Sequence, residues 1–207
     1  MGLLFISSTI TFSIGSSLVQ TYFSDEAAHS GTLMGGVSLE WCTALAVAVI
    51  GVAMFPVLRP YGKELSAGYL ILRAMEGTAI VAVGVYFLAS HNQYEDYDLL
   101  VYALSGAAGL VLSCLLLRSG LAERWLSLLG VVGYAALLAG VLTDALGAAD
   151  LDSGVGIAFL VPGGLFEIAF PLLLIFRGFR SPEPGARTEG VRTGDGHTGP
   201  TSDRPRG

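Results

Sequence analysis

Four ionisable residues, Glu40, Arg73, Glu76 and Glu167, sit inside stretches otherwise suited to hydrocarbon. A charge at the middle of a bilayer costs at least about 2.5 kcal/mol on insertion scales, so such residues face the interior of a helix bundle and pair. Arg73 and Glu76 are three residues apart, which places two side chains next to each other on a helix. Counting about 1.5 Å per residue along the helices brings both close to the level of Glu167, so the three are expected to meet. One guanidinium against two carboxylates leaves one carboxylate without a cation, and a proton-handling site would need such a group. The same three residues would equally serve as a buried lock that fixes helix register, so site and lock stand side by side. Glu40 lies nearer the outer surface on the face of Gly36 and Ala44, where it is expected to line an outward vestibule.

The surroundings of Glu167 favour the site. Pro162 and Pro171 bracket it, Gly163 and Gly164 precede it, and Pro171 has no N–H to give to the carbonyl of Glu167, so a kink is expected. Interrupted helices beside an ionisable residue at membrane depth point to a binding site, although Pro also occurs in helices that merely bend. Enzyme chemistry is nearly unrepresented: the sequence has no HExxH, GxSxG, P-loop or CxxC pattern, and no catalytic residue, metal or cofactor is expected. His29, His91 and His197 fall in loops and tail and read as solvated side chains, although His29 and His91 could meet on the outer face. Cys42 and Cys114 lie within apolar stretches and read as core packing residues. Thr9, Ser13, Ser16 and Gln20 share one side of the first stretch. Bonding to their own backbone is preferred over lining a path.

These residues must be held by membrane-crossing helices. The chain has 207 residues, 53% of them hydrophobic and 14% charged, a composition no ordinary soluble domain of this size shows. Six stretches long enough to cross the hydrocarbon, 3–23, 33–58, 65–90, 99–117, 125–146 and 155–176, use nearly all of it before residue 178. The reading is an all-α, six-helix transmembrane bundle over residues 1–179. The first stretch lacks the basic start and cleavage site of a signal peptide, so it is expected to remain as a helix. Residues 180–207 are rich in Pro, Gly, Thr and Arg and nearly devoid of apolar side chains, so a disordered tail is expected there. The net charge of −6 comes mostly from loops and tail and points to no nucleic-acid partner.

Orientation follows from the basic residues. Loops after the first, third and fifth stretches contain Asp25 and Glu26; Glu95, Asp96 and Asp98; Asp150 and Asp152, with no Lys or Arg. Arg59, Lys63, Arg118, Arg124 and Arg177 fall in the alternate connections, and every basic residue except Arg73 lies on that side. The positive-inside rule makes that side cytoplasmic, with both termini inside the cell and the protein in the plasma membrane. Trp125 and Tyr61 at the inner boundary, and Tyr22, Tyr94 and Tyr97 at the outer, read as aromatic belts. Small residues mark the packing faces: Gly36, Ala44, Ala48 and Gly51; Ser105, Gly109 and Ser113; Gly130, Gly133, Ala136 and Gly140. Gly77 and Gly84 give a weaker stripe, interrupted by Ile80. The hairpins from Leu58 to Tyr69 and from Leu117 to Tyr134 share residue types at different spacing, too little to establish a repeat.

Several segments together resemble a known family. They are Phe55-Pro56-Val57-Leu58 through Gly68-Tyr69 to Arg73 and Glu76-Gly77; Arg124-Trp125-Leu126-Ser127 with its Gly-rich helix; and Glu167 with Phe176-Arg177-Gly178-Phe179. In order and spacing the chain resembles the bacterial and archaeal membrane proteins grouped as domain of unknown function 4386, from the first helix to Phe179. The resemblance implies a six-helix bundle with a shared polar centre at Arg73, Glu76 and Glu167, and it implies no activity. The family usually has a short basic segment before the first helix, whereas Met1 here abuts it, so an earlier start is expected. The function expected first is non-catalytic binding of a membrane partner, a second copy or a small ligand within the bilayer. Proton-coupled transport or a channel comes second, and an intramembrane enzyme last.

Overall fold

A computed structural model of the chain describes residues 2–25, 29–94, 96–148, 150, 151, 154 and 156–179. It contains six α-helices: α1 Gly2–Ser24, α2 Ser30–Leu58, α3 Lys63–Ser90, α4 Tyr97–Ser119, α5 Arg124–Ala145 and α6 Ile157–Phe176. A 3-10 turn, Arg59–Tyr61, joins α2 to α3, and there is no strand among the described residues. All six helices are long and apolar enough to cross a membrane. The expected disordered tail, 180–207, lies outside the described residues.

Most helices run a turn or less past the apolar stretches that mark them. α2, for instance, starts at Ser30 rather than Leu33. Polar residues at a membrane surface extend a helix because each added residue gives the backbone an internal hydrogen bond in place of water. α4 stops where Gly120 takes a left-handed conformation, φ 66°, and its N–H caps Leu116 O.

Each helix packs on its chain neighbours, and α6 returns to α1, closing the six into a ring. Successive helices run in opposite directions, so one end of the ring carries Arg59, Lys63, Arg118, Arg124 and Arg177, and the other carries Tyr94, Asp98 and Asp150. We call these the basic and acidic ends. At the basic end Arg177 of α6 pairs with Glu123, ahead of α5, at 2.7 Å.

The radial distribution of side chains suits lipid. Leu45, Val52, Leu142, Leu165, Ile168 and Phe176 face outward and are exposed, whereas Glu40, Arg73, Glu76, Ser66, Ser113 and Ser127 are buried. With no water to drive apolar side chains inward, close backbone approach holds the helices together. The clearest case is Gly133 on α5, where a Cβ would stand 2.7 Å from the backbone of Pro162 and Gly163 on α6. Gly51 likewise lets α2 settle on the stem of Arg73, whose Cβ would lie 2.9 Å from an added methyl. Ile80 does not interrupt the α3 face, because it is buried between Gly77 and Gly84 against α2.

Two expectations about individual residues change. Cys42 is exposed on the outer face of α2, and Cys114 is half-buried, because the small residues of those helices that turn inward are Thr43 and Ala44, and Ser113. Tyr97 does not belong to the outer aromatic belt: it points into the bundle, 4% exposed, with its ring edge-on to Phe87 at 5.4 Å.

Apolar packing is divided in two. One cluster, including Met54, Leu58, Leu112, Leu116, Leu126, Phe166 and Phe170, fills the basic half of the ring. The other, including Val19, Leu33, Val37, Ile80, Phe87 and Val101, fills the acidic half between α1, α2, α3 and α4. The polar centre lies between them.

Candidate functional site

Arg73 leaves α3 toward the ring interior. Its Nη1 donates to Glu76 Oε2 at 2.8 Å, and its Nε donates to the Tyr69 hydroxyl at 3.3 Å. Tyr69, one turn before Arg73, also places its ring 5.5 Å from the guanidinium carbon. Residues 69, 73 and 76 therefore form one inward ladder on a single helix face, all of it buried. Ser105 of α4 supplies a further hydroxyl to the Glu76 carboxylate.

Glu167 comes to the same centre from α6. Tyr134 of α5 donates to its Oε1 at 3.3 Å, and Thr9 of α1 donates to its Oε2 at 3.4 Å. Arg73 acts on Glu167 through space, and the short ion pair of the guanidinium is with Glu76. Glu167 is half-buried, unlike Arg73 and Glu76, and its two hydrogen bonds are long. α6 runs as one helix through both prolines, so Pro162, Gly163, Gly164 and Pro171 shape its surface without ending it. Gly163 lies against α5, while Gly164 faces open space.

Between these residues is a cavity of about 380 Å³ whose walls include Arg73, Glu76, Ser105, Tyr134 and Glu167. The polar part of the wall contributed by α1 is Ser8, Thr9, Ser13, Ser16, Ser17 and Gln20, beside Phe5 and Phe12. The preference for simple backbone bonding by that side of α1 is therefore revised. Thr9 and Ser13 do bond to carbonyls of their own helix, at 3.2 and 2.9 Å, and still line the cavity. Ser13, Ser17 and Gln20 are exposed, so the cavity reaches the surface beside α1. On the basic side Phe5 packs edge-on against Phe170 at 5.4 Å, Phe170 stacks on Phe166 at 5.2 Å, and Tyr134 meets Phe166 at 5.6 Å. That aromatic layer underlies the cavity and meets it through Phe5 and Tyr134.

Glu40 lies elsewhere. It is fully buried outside the cavity wall and lines no vestibule. Its Oε2 accepts from the Tyr97 hydroxyl at 2.9 Å, while Oε1 has no hydrogen-bond partner among the described residues. Gly15 on α1 makes room for it, since a Cβ there would stand 3.0 Å from the Glu40 side chain. A second acidic group, Asp98 in the first turn of α4, receives Ser16 at 3.3 Å and Gln20 at 3.2 Å and ties α1 to α4 at the acidic end. Among the described residues no cluster of three or more His, Cys, Asp or Glu is arranged to hold a metal, and His91 is in contact with the Tyr22 hydroxyl at 3.2 Å.

Tyr69, Tyr134, Thr9 and Ser105 were not assigned to the site by sequence. Tyr69 was within reach of such an assignment, because it lies four residues before Arg73. Tyr134 and Ser105 were not, because nothing local says which helices will face α3 and α6; for Thr9 the sequence offers path lining beside backbone bonding without indicating Glu167 as its partner.

The fold and centre define a class: a polytopic helical membrane protein whose ring of six spans encloses a partly open cavity of mixed polar and apolar walls. The chain belongs to the family described as domain of unknown function (DUF4386), whose profile it matches in two overlapping segments, residues 1–98 and 89–178. No curated protein and no solved structure matches it.

Proposed function

We propose that this is a non-catalytic membrane protein that binds a small ligand in the cavity at the centre of the six-helix ring. The observation that supports binding over a purely structural lock is the cavity itself. A lock would fill the space around Arg73 and Glu76, whereas here a hollow of about 380 Å³ meets both and continues to Glu167. Buried charge networks that only specify structure satisfy their members directly, and Glu167 keeps two long hydrogen bonds from neutral hydroxyls. In this reading Arg73 and Glu76 form a fixed wall, and Glu167 is the group free to take a ligand. The protein sits in the plasma membrane with the basic end and both termini in the cytoplasm, which places the cavity opening toward the outer half of the bilayer.

Cysteine accessibility tests both the cavity and the orientation. With Cys42 and Cys114 replaced by Ala, Ser13→Cys and Ser105→Cys are expected to react with a small water-soluble thiol reagent added outside cells, and Ser66→Cys, buried away from the cavity, is not. Failure of Ser105→Cys to react would mean a filled centre and a structural lock. Gln93→Cys is expected to be labelled from outside and Ser119→Cys only after permeabilisation; the reverse pattern would invert the topology.

Proton-coupled transport is the second reading, supported by the continuity of the cavity with a carboxylate at mid-helix. It requires the floor of Phe5, Phe166 and Phe170 to open, so under transport conditions Ser105→Cys would become reachable from the cytoplasmic side as well.

A further inference from the structure

Glu167 borders two spaces. On one side is the central polar cavity. On the other is a groove of about 510 Å³ on the outer surface between α1 and α6, lined by Ile6, Ile10, Ile14, Ile168 and Leu172 and sharing Thr9, Ser13 and Glu167 with the cavity. Ile10, Ile14 and Ile168 are exposed there, which in a membrane means open to acyl chains.

The gap has a structural cause. At the basic end α1 and α6 touch closely: a Cβ on Gly2 would stand 2.5 Å from Pro171 O, and Phe5 packs on Phe170. Toward the acidic end their attachments diverge. α6 leans on α5, through Gly133 against Pro162 and Gly163 and through Gly140 against Phe159. α1 is drawn to α4 by Ser16 and Gln20 on Asp98. The helices therefore part above Thr9 and Glu167.

We infer that Glu167 is the headgroup contact of a lateral site for an amphiphilic amine, whose ammonium group occupies the polar cavity and whose alkyl chain lies in the α1–α6 groove. The inference rests on the ligand-binding reading above and specifies its ligand class. A cation is favoured because the centre holds two carboxylates against one guanidinium, and that guanidinium is already paired with Glu76. An ammonium supplies three donors, and among the described residues Glu167 receives one bond each from Tyr134 and Thr9, so acceptor capacity remains. An alkyl chain is favoured because the groove walls are apolar apart from the residues that face the cavity. From Ile6 to Ile14 the groove runs about 12 Å along α1, room for a medium-length chain.

The test is binding of n-decylamine to the purified full-length protein in lipid nanodiscs, measured beside decanol, decanoate and propylamine. Glu167→Gln nanodiscs give the background from partition into lipid. The expected result is decylamine binding at least about tenfold tighter than decanol or decanoate, with that margin lost in Glu167→Gln. Ile10→Trp, which fills the groove from its lipid-facing side, is expected to weaken decylamine and leave propylamine unchanged. This variant also serves if Glu167→Gln fails to fold, since it leaves the polar centre intact. Propylamine binding that depends on Glu167, with no gain from the decyl chain and no effect of Ile10→Trp, would overturn the lateral site while leaving the cavity as a binding site. Equal binding of decylamine to the wild type and to folded Glu167→Gln, or preference for decanoate, would overturn the inference as a whole. An unreactive Ser105→Cys would instead remove the ligand-binding reading on which it rests.

Discussion

Glu40 and Glu167 are carboxylates in the middle of apolar helices, and each accepts a hydrogen bond from a tyrosine on another helix, at 2.9 Å from Tyr97 and at 3.3 Å from Tyr134. Around Glu40 the helices close completely. α1, α2 and α3 approach through Gly15, Gly36 and Gly77, and the carboxylate is left with no exposed surface. Around Glu167 they open, because α1 and α6 are fastened to different neighbours, and the carboxylate borders a cavity and a groove. The difference is made by helix spacing rather than by the acid itself. A carboxylate in a span serves structure or binding according to whether small residues let its neighbours seal it in.

The sharpest way to test that division is through Arg73, where the largest loss is expected. Arg73→Leu removes the cation and leaves Glu76 buried without its partner, at a cost of about 3 kcal/mol in unfolding free energy. Adding Glu76→Gln should recover more of the loss than adding Glu167→Gln, because the 2.8 Å ion pair is with Glu76. Unfolding of the purified protein in mixed detergent measures all three variants. Equal recovery from the two carboxylate changes would mean that Glu167 shares the guanidinium fully, and strictly additive losses would mean that no pairing exists.

A smaller effect is expected at the sealed acid. Tyr97→Phe deletes the only hydrogen bond to Glu40 found among the described residues, and buried interhelical bonds in membranes are worth about 0.6 kcal/mol on average and up to about 1.7. A loss near the upper figure is expected, since Oε1 of Glu40 has no partner to compensate. Ligand binding at Glu167 should be unaffected. A Tyr97→Phe protein of unchanged stability that no longer binds would place Glu40 in the site after all.

Sequence went far with the architecture and part of the way with the site, for the same physical reason. Hydrocarbon thickness sets the length of each span, so the six helices are written locally in runs of apolar residues, and alternation of charge between loops checks their number. The Arg73–Glu76 pair was legible because both partners lie on one helix, three residues apart. By sequence Tyr97 belongs at the membrane surface, because tyrosines near helix ends usually sit there; its contacts with Glu40 of α2 and Phe87 of α3 reveal that it turns inward. Cys42 and Glu40, two residues apart on α2, both suit the interior by sequence, yet one faces outward and the other the bundle. In a helix apolar all round, hydropathy does not indicate which face packs. The α1–α6 groove was out of reach for a related reason: it arises from what each helix is tied to elsewhere, through Asp98 and through Gly133.

The smallest stability effect is expected at Glu167, and it is the most informative. Its hydrogen bonds, at 3.3 and 3.4 Å, are at the long end of useful geometry, and the residue is half-buried where Glu40 has no exposure. Replacing it with Gln keeps a carbonyl oxygen for the Tyr134 or Thr9 hydroxyl and adds an amide that can face the cavity, so a change below about 0.6 kcal/mol is expected. Glu40→Gln should cost more, because an amide adds two donors in a closed space where Oε1 of Glu40 has no hydrogen-bond partner among the described residues. The two variants measured side by side by unfolding in the same detergent turn the contrast into a number. If Glu167→Gln proves the more damaging change in the absence of any ligand, the carboxylate is holding the ring together, and the cavity beside it is a packing defect rather than a site.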